Sequence, residues 1–202
     1  MSRGLGDVYK RQALLLLLVL LTGCGAKTEE APWQTAYRET GKYLQEQDTL
    51  SAGSVGGEWA VIGLSRAGLL SDETAQSYEQ TVEDYVKQAG SVRLHHAKST
   101  ENSRAILGLT AAGYNAANMA GVDLTVGLTD MAYLRAQGTN GPIWALIALD
   151  CHGYDIPQCA DGEEQTTREG LVAEILSYQC SDGGWALMGD ESDVDMTAMA
   201  LT

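Results

Sequence analysis

The side chains best equipped for chemistry in this chain are carboxylates, thiols and imidazoles, and they gather in a few places. Asp150-Cys151-His152 offers oxygen, sulfur and nitrogen ligands in consecutive positions. Neighbouring residues on a helix point about 100° apart, so these three cannot grip one metal ion together. Cys151, Cys159 and Cys180 with His152 could assemble a site from separate segments, but no ligand pair has the spacing of a strong zinc motif. No metal site and no cofactor is expected. His95-His96 falls in the polar stretch Ser91–Ser99 and reads as solvated surface. The acidic run Asp190–Asp195 lacks the glycine turn and closing glutamate of a calcium loop, and reads as a solvated turn. Asp193 and Asp195 stand at the head of a helix-forming run, where carboxylates cap free N–H groups and complement the helix dipole.

These residues are carried by a repeat. Trp59–Leu69 (WAVIGLSRAGL), Arg104–Tyr114 (RAILGLTAAGY) and Trp144–Tyr154 (WALIALDCHGY) align without gaps, and a fourth copy begins at Met196. The starts are 45, 40 and 52 residues apart, a period that suits a two-helix unit. Each copy is apolar on nearly every face and reaches glycine (Gly68, Gly113, Gly153) where a helix C-cap wants it. Between them lie helices with a single apolar stripe, expected over Trp33–Gln47, Ser71–Ala89, Leu128–Gln137 and Thr166–Gln179. Fully apolar helices alternating with amphipathic ones predict an all-α fold in two concentric layers, with the apolar set inside. No run of alternating β-branched residues is long enough for a sheet.

The joints carry a second signature. Tyr43-Leu44-x-x-Gln47, Tyr133-Leu134-x-x-Gln137 and Ile175-Leu176-x-x-Gln179 each close an amphipathic helix before a glycine-containing turn. The fullest version runs from Gly170 to Trp185, with Gln179, Gly183, Gly184 and Trp185 as its fixed points. Two glycines allow a tight reversal, across which the Gln179 amide could stack on and tie to the indole. This segment resembles the glutamine–tryptophan repeat of the terpenoid cyclase and protein prenyltransferase superfamily, departing from it at Glu174 and in the spacing of Arg168 from Gly170. Gly183–Ala198 (GGWALMGDESDVDMTA) is similar to the turn and DxDDTA motif of class II terpene cyclases such as squalene–hopene cyclase. More broadly, residues 33–202 resemble the squalene-cyclase-like repeat proteins exported by gut bacteria.

The resemblance implies a partial α/α toroid, about four helix hairpins of an incomplete α6/α6-type barrel, from a gene truncated at its C-terminal end. It also implies a chemistry. Asp195 would be the general acid that protonates an alkene or epoxide, with Asp193 as its acidic neighbour. Such an acid must be desolvated and flanked by carboxylates, yet Met196 fills the third acidic position. Carbocation chemistry also needs aromatic faces. The chain has no phenylalanine and 6% aromatic residues, with Trp59 and Trp144 as the main cavity candidates. A non-catalytic ligand-binding or cell-surface module is therefore preferred to a squalene–hopene cyclase-type enzyme.

Composition and the N-terminal segment supply an address. The chain has 202 residues and a formal charge of −14, which disfavours nucleic-acid partners. Ala13–Leu21 is nine apolar residues behind Lys10 and Arg11, too short to span a bilayer but suited to a signal-peptide core. Leu21-Thr22-Gly23-Cys24 resembles the bacterial lipobox, so residues 13–23 read as a lipoprotein signal, Cys24 as the lipidated residue and 24–32 as a linker. Met1–Gln12 resembles translated adapter sequence and is read as an assembly artefact. Loss of residues 1–23 removes one acid and three bases, leaving 26 acidic against 10 basic side chains. The expected product is anchored by lipid to the outer face of the bacterial membrane, and its only expected partners are that membrane and an unidentified small-molecule or surface ligand. For an exported chain, a disulfide among Cys151, Cys159 and Cys180 is favoured over a metal. Radiolabelled acyl chains should be incorporated at Cys24 in a globomycin-sensitive manner and be lost in Cys24→Ser. Secretion of an unmodified chain would refute the assignment.

Overall fold

The computed structural model describes residues 31–47, 50–54 and 56–202. Residues 1–12, the segment 13–23 expected to be a signal, Cys24 and most of the expected linker 24–32 lie outside the described residues. The chain divides into two compact units, Met1–Glu39 and Thr40–Thr202. Among the described residues there are eight α-helices and no β-strand, so the fold is all-α. Helix α1 (Pro32–Gln45) forms where its periodicity predicts, but Gly41 is its one buried residue. Trp33 and Tyr37, expected to lie on a packed stripe, are exposed.

Within Thr40–Thr202 the apolar repeats become α2 (Gly57–Arg66), α4 (Thr100–Ala111), α6 (Asn140–Asp150) and α8 (Val194–Ala200). They pack side by side in chain order, α4 between α2 and α6, and α8 against α6. Helix α3 (Asp72–Ala89) lies on α2 and α4, and α7 (Arg168–Ser177) lies on α6. The shared core joins the two sets: Val61, Ile106, Leu109 and Leu149 from the row meet Tyr78 and Val82 of α3 and Leu171 of α7. A second cluster of Ile143, Ile175, Trp185 and Met196 holds the last hairpin.

The three glycine ends are built alike. Gly68, Gly113 and Gly153 take the left-handed conformation that an L side chain resists. In each case the residue after the glycine donates its N–H five residues back: Leu69 to Leu64, Tyr114 to Leu109, Tyr154 to Leu149, at 2.8–2.9 Å. These are Schellman closures, and they satisfy carbonyls that a helix end otherwise leaves free.

Side chains then tie neighbouring repeats. At the helix ends, Ser65 Oγ donates to the Ala111 carbonyl at 2.6 Å, and Thr110 Oγ1 lies 2.8 Å from the Tyr154 hydroxyl. At the starts, the Gln137 amide oxygen accepts from Thr100 N at 2.9 Å and Ser99 Oγ at 3.1 Å. Thr139 Oγ1 donates to the Ala186 carbonyl at 2.9 Å. Starts bond to starts and ends to ends, so α2, α4, α6 and α8 run parallel.

The amphipathic helices match the sequence unevenly. Helix α3 forms as expected, with Ser71 Oγ accepting from Thr74 N at 3.1 Å and Gly90 closing the other end. The helix expected over Leu128–Gln137 is shorter. A 3₁₀ turn at Leu124–Leu128 leads to a five-residue α5 (Met131–Arg135). Asp130 interrupts it by staying extended and spending one carboxylate oxygen on Ala132 N at 3.1 Å. Its other oxygen meets Arg93, which also holds Glu163 at 2.6 Å. A local cap and a long-range ion pair outweigh helix propensity there. Arg168 does similar work for α6, pairing with Asp150 at 2.7 Å and donating to the Leu149 and Tyr154 carbonyls.

Gly141, buried in the first turn of α6, is where that helix passes over the end of α5: an added methyl would overlap the Leu134 carbonyl. Because the obstacle is backbone, Gly141→Ala should destabilise the protein by about 1–3 kcal/mol. Urea unfolding checks this, and an unchanged midpoint would show that α5 and α6 do not cross so closely.

Candidate functional site

The joint before α8 is the best-defined polar construction. Cys180 N donates to the Gly184 carbonyl at 2.8 Å and Gly183 N to the Cys180 carbonyl at 2.9 Å, closing the turn. The Gln179 side-chain amide donates to the Gly183 carbonyl at 2.8 Å. It therefore braces the turn, and the hydrogen-bonded tie to the indole expected from sequence is not made. Trp185 is buried, and its Nε1–H donates to the Ile175 carbonyl of α7 at 2.7 Å. Its backbone N–H donates to Thr197 Oγ1 at 2.9 Å, and its carbonyl accepts from Asp193 N at 2.8 Å. The tryptophan thus fastens α7 to the start of α8.

The recurring glutamines do not repeat one bond. Gln47 donates to its own Tyr43 carbonyl, Gln137 reaches the start of α4, and Gln179 braces its own turn. The intervening chain decides: Gln137 is followed at once by Gly138-Thr139 and α6, whereas Gln179 precedes a longer loop.

The aspartates stand at the first turn of α8. Asp193 Oδ1 accepts from Met196 N at 2.7 Å, which is N-capping. Asp195 is exposed in that turn, and Met196 is buried beside it. The desolvation that a strong alkene-protonating acid requires is absent around Asp195. Asp182, not singled out from sequence, accepts from Ser192 Oγ at 2.6 Å and from Gly184 N at 3.1 Å. Those two bonds, led by Ser192, hold its carboxyl below the usual range.

Trp59 and Trp144 meet edge to face, ring centroids 5.3 Å apart, although their helices flank α4. The two indoles therefore share one face of the row, and Trp59 is 44% exposed. The sequence pattern led to helices buried all round. Instead Val61, Ile106, Leu109, Ala148 and Leu149 face the core, while Ile62, Leu107 and Ile147 are only half-buried. Toward the helix ends that half-buried face forms two adjoining hollows of 450 and 360 Å³, and both are lined by Arg66, Leu107 and Cys151.

Cys151, Cys159 and Cys180 are free thiols, so the disulfide expected among them is not formed. They stand on separate elements, at the end of α6, in the loop before α7 and in the turn after it. Desolvation of the Cys151 sulfur raises its pKa, against a smaller lowering by the neighbouring Thr110 hydroxyl. Among the described residues, no three His, Cys, Asp or Glu side chains gather as a metal site. His95 and His96 stack on each other at 4.4 Å, and Tyr133 donates its hydroxyl to the His95 carbonyl. Burial pushes the Tyr133 phenol up to about 12 despite the Arg93 guanidinium over its ring. Glu58, also missed from sequence, is buried and accepts from Gly53 N at 2.6 Å, pinning the loop before α2.

The chain matches no protein-family model, no curated protein and no solved structure. Among the described residues, no helix is long and apolar enough to cross a membrane.

Proposed function

We propose that residues 33–202 form part of an α/α toroid, anchored through a lipidated Cys24 to the outer face of a bacterial membrane, and that it is a binding module. The ligand surface is the face of the helix row opposite α3 and α7. One observation carries this: apolar side chains of α2, α4 and α6 remain half-open on one shared face, with Trp59 against Trp144 and the hollows beside Leu107. Hollows of this size fall in the range of small-molecule sites, and the one between Leu107, Ile147 and Met199 is mainly apolar. The parallel order of α2, α4, α6 and α8 supports the toroid, because equivalent helices of successive hairpins then line one side. The acidic chain supports a partner other than nucleic acid.

A second reading keeps the enzyme. The aspartate pair at the start of α8, just after the Trp185 turn, motivates a class II cyclase-type acid at Asp195. Exposure of Asp195, the capping duty of Asp193 and methionine at the third acidic position favour binding over catalysis. Incubation of the full chain with squalene and with a prenyl diphosphate should give no cyclised product by gas chromatography–mass spectrometry. Product from the wild type that disappears in Asp195→Asn would overturn the binding module and establish the enzyme.

A further inference from the structure

We propose that the groove along the ends of α2, α4 and α6 binds a single-chain amphiphile with an anionic head, the head on Arg66 and the apolar chain along Leu107, Ile147 and Met199. This names the ligand class of the binding module and rests on that reading. The groove lies at the opposite end of the row from Asp193 and Asp195.

Charge marks Arg66 out. Among the described residues of 40–202 there are five arginines. Arg93, Arg104, Arg135 and Arg168 are each ion-paired with a carboxylate at 3.1 Å or closer. Among the described residues the Arg66 side chain has no ion-pair or hydrogen-bond partner, although the chain carries 27 acidic side chains. It is exposed, and it lines both hollows.

The remaining polar side chains of the groove are already committed, Thr202 Oγ1 among them by donating to the Ala198 carbonyl at 3.0 Å. Ser65 donates to the Ala111 carbonyl, and Thr110 donates to the Ile106 carbonyl beside the Tyr154 hydroxyl. Cys151 donates to the Ala148 carbonyl, and Asp150 is neutralised by Arg168 at 2.7 Å. One unpaired guanidinium above an apolar floor matches a ligand with one charged end and a hydrocarbon remainder. The surrounding field of a chain at −14 disfavours polyanions, so a singly charged head fits better than a polyphosphate.

Cys151 supplies a reporter, because it is exposed and lines both hollows, while Cys159 and Cys180 line neither. The full chain is titrated with dodecanoate and with dodecanol, each below its aggregation threshold. Iodoacetamide labelling of each cysteine is followed by peptide mass. Dodecanoate should slow labelling at Cys151 while leaving Cys159 and Cys180 unchanged. Dodecanol should bind at least about tenfold more weakly, the expected scale for one lost charge-assisted contact. Arg66→Gln, a surface change whose folding is checked by circular dichroism, should bring dodecanoate down to the level of dodecanol. Equal binding of acid and alcohol, an unaffected Arg66→Gln variant or labelling of Cys151 that ignores dodecanoate would each overturn the inference. These failures leave the binding module standing for another ligand, whereas the module itself falls only if Asp195-dependent product appears.

Discussion

The parallel register of α2, α4, α6 and α8 is the constraint on which everything else depends. Two kinds of bond set it. Glycine closures end three of the helices by one geometry, and side-chain bonds between successive repeats align their starts and ends. Ser65 with Ala111 and Thr110 with Tyr154 fix the ends, while Gln137 with Thr100 and Thr139 with Ala186 fix the starts. Each of these bonds spans at least 37 residues, so each joins separate repeats rather than stabilising one helix. Slipping one helix along its neighbour would break several together and leave buried groups such as Thr139 unpaired, which is expensive in a dry interior.

With register fixed, the two faces of the row take different roles. One face meets α3 and α7 and becomes the core. The other keeps Trp59, Trp144, Ile62, Leu107 and Ile147 partly open and gathers them into one surface. The same register brings Arg66, Leu107 and Cys151, from three successive repeats, around a shared groove. At the other end of the row it places Asp193 and Asp195 in a solvated first turn. The proposed binding on the face, in preference to acid catalysis at that turn, rests on this contrast between a half-buried face and a solvated turn.

Much of the helical order was legible in the sequence because its signals are local. Gly68, Gly113 and Gly153 mark helix ends through backbone conformation alone, and Ser71 and Gly90 bound α3 for the same reason. The expected helix over Leu128–Gln137 misled because Asp130 answers to Arg93 and Glu163, which lie far away in the chain. Arg66 gave no sequence signal at all. Its interest comes from having no carboxylate beside it, and only the packed chain reveals that. The Trp185 joint was legible as a motif but not as a mechanism: the turn is braced by Gln179, and the indole is tied to Ile175. The cysteines misled because expectation came from the compartment rather than from distance.

Residue-resolved amide exchange at Thr100 tests the parallel register most directly. Thr100 is the first residue of α4, where an amide ordinarily has no helical partner and exchanges freely. Its N–H instead donates to Gln137, from the next repeat. The register predicts that Thr100 is protected at least about tenfold over its free-peptide rate, and that Gln137→Ala removes this protection while Ile106 stays protected. A Thr100 amide that exchanges at the free rate in the wild type would contradict the stapled row.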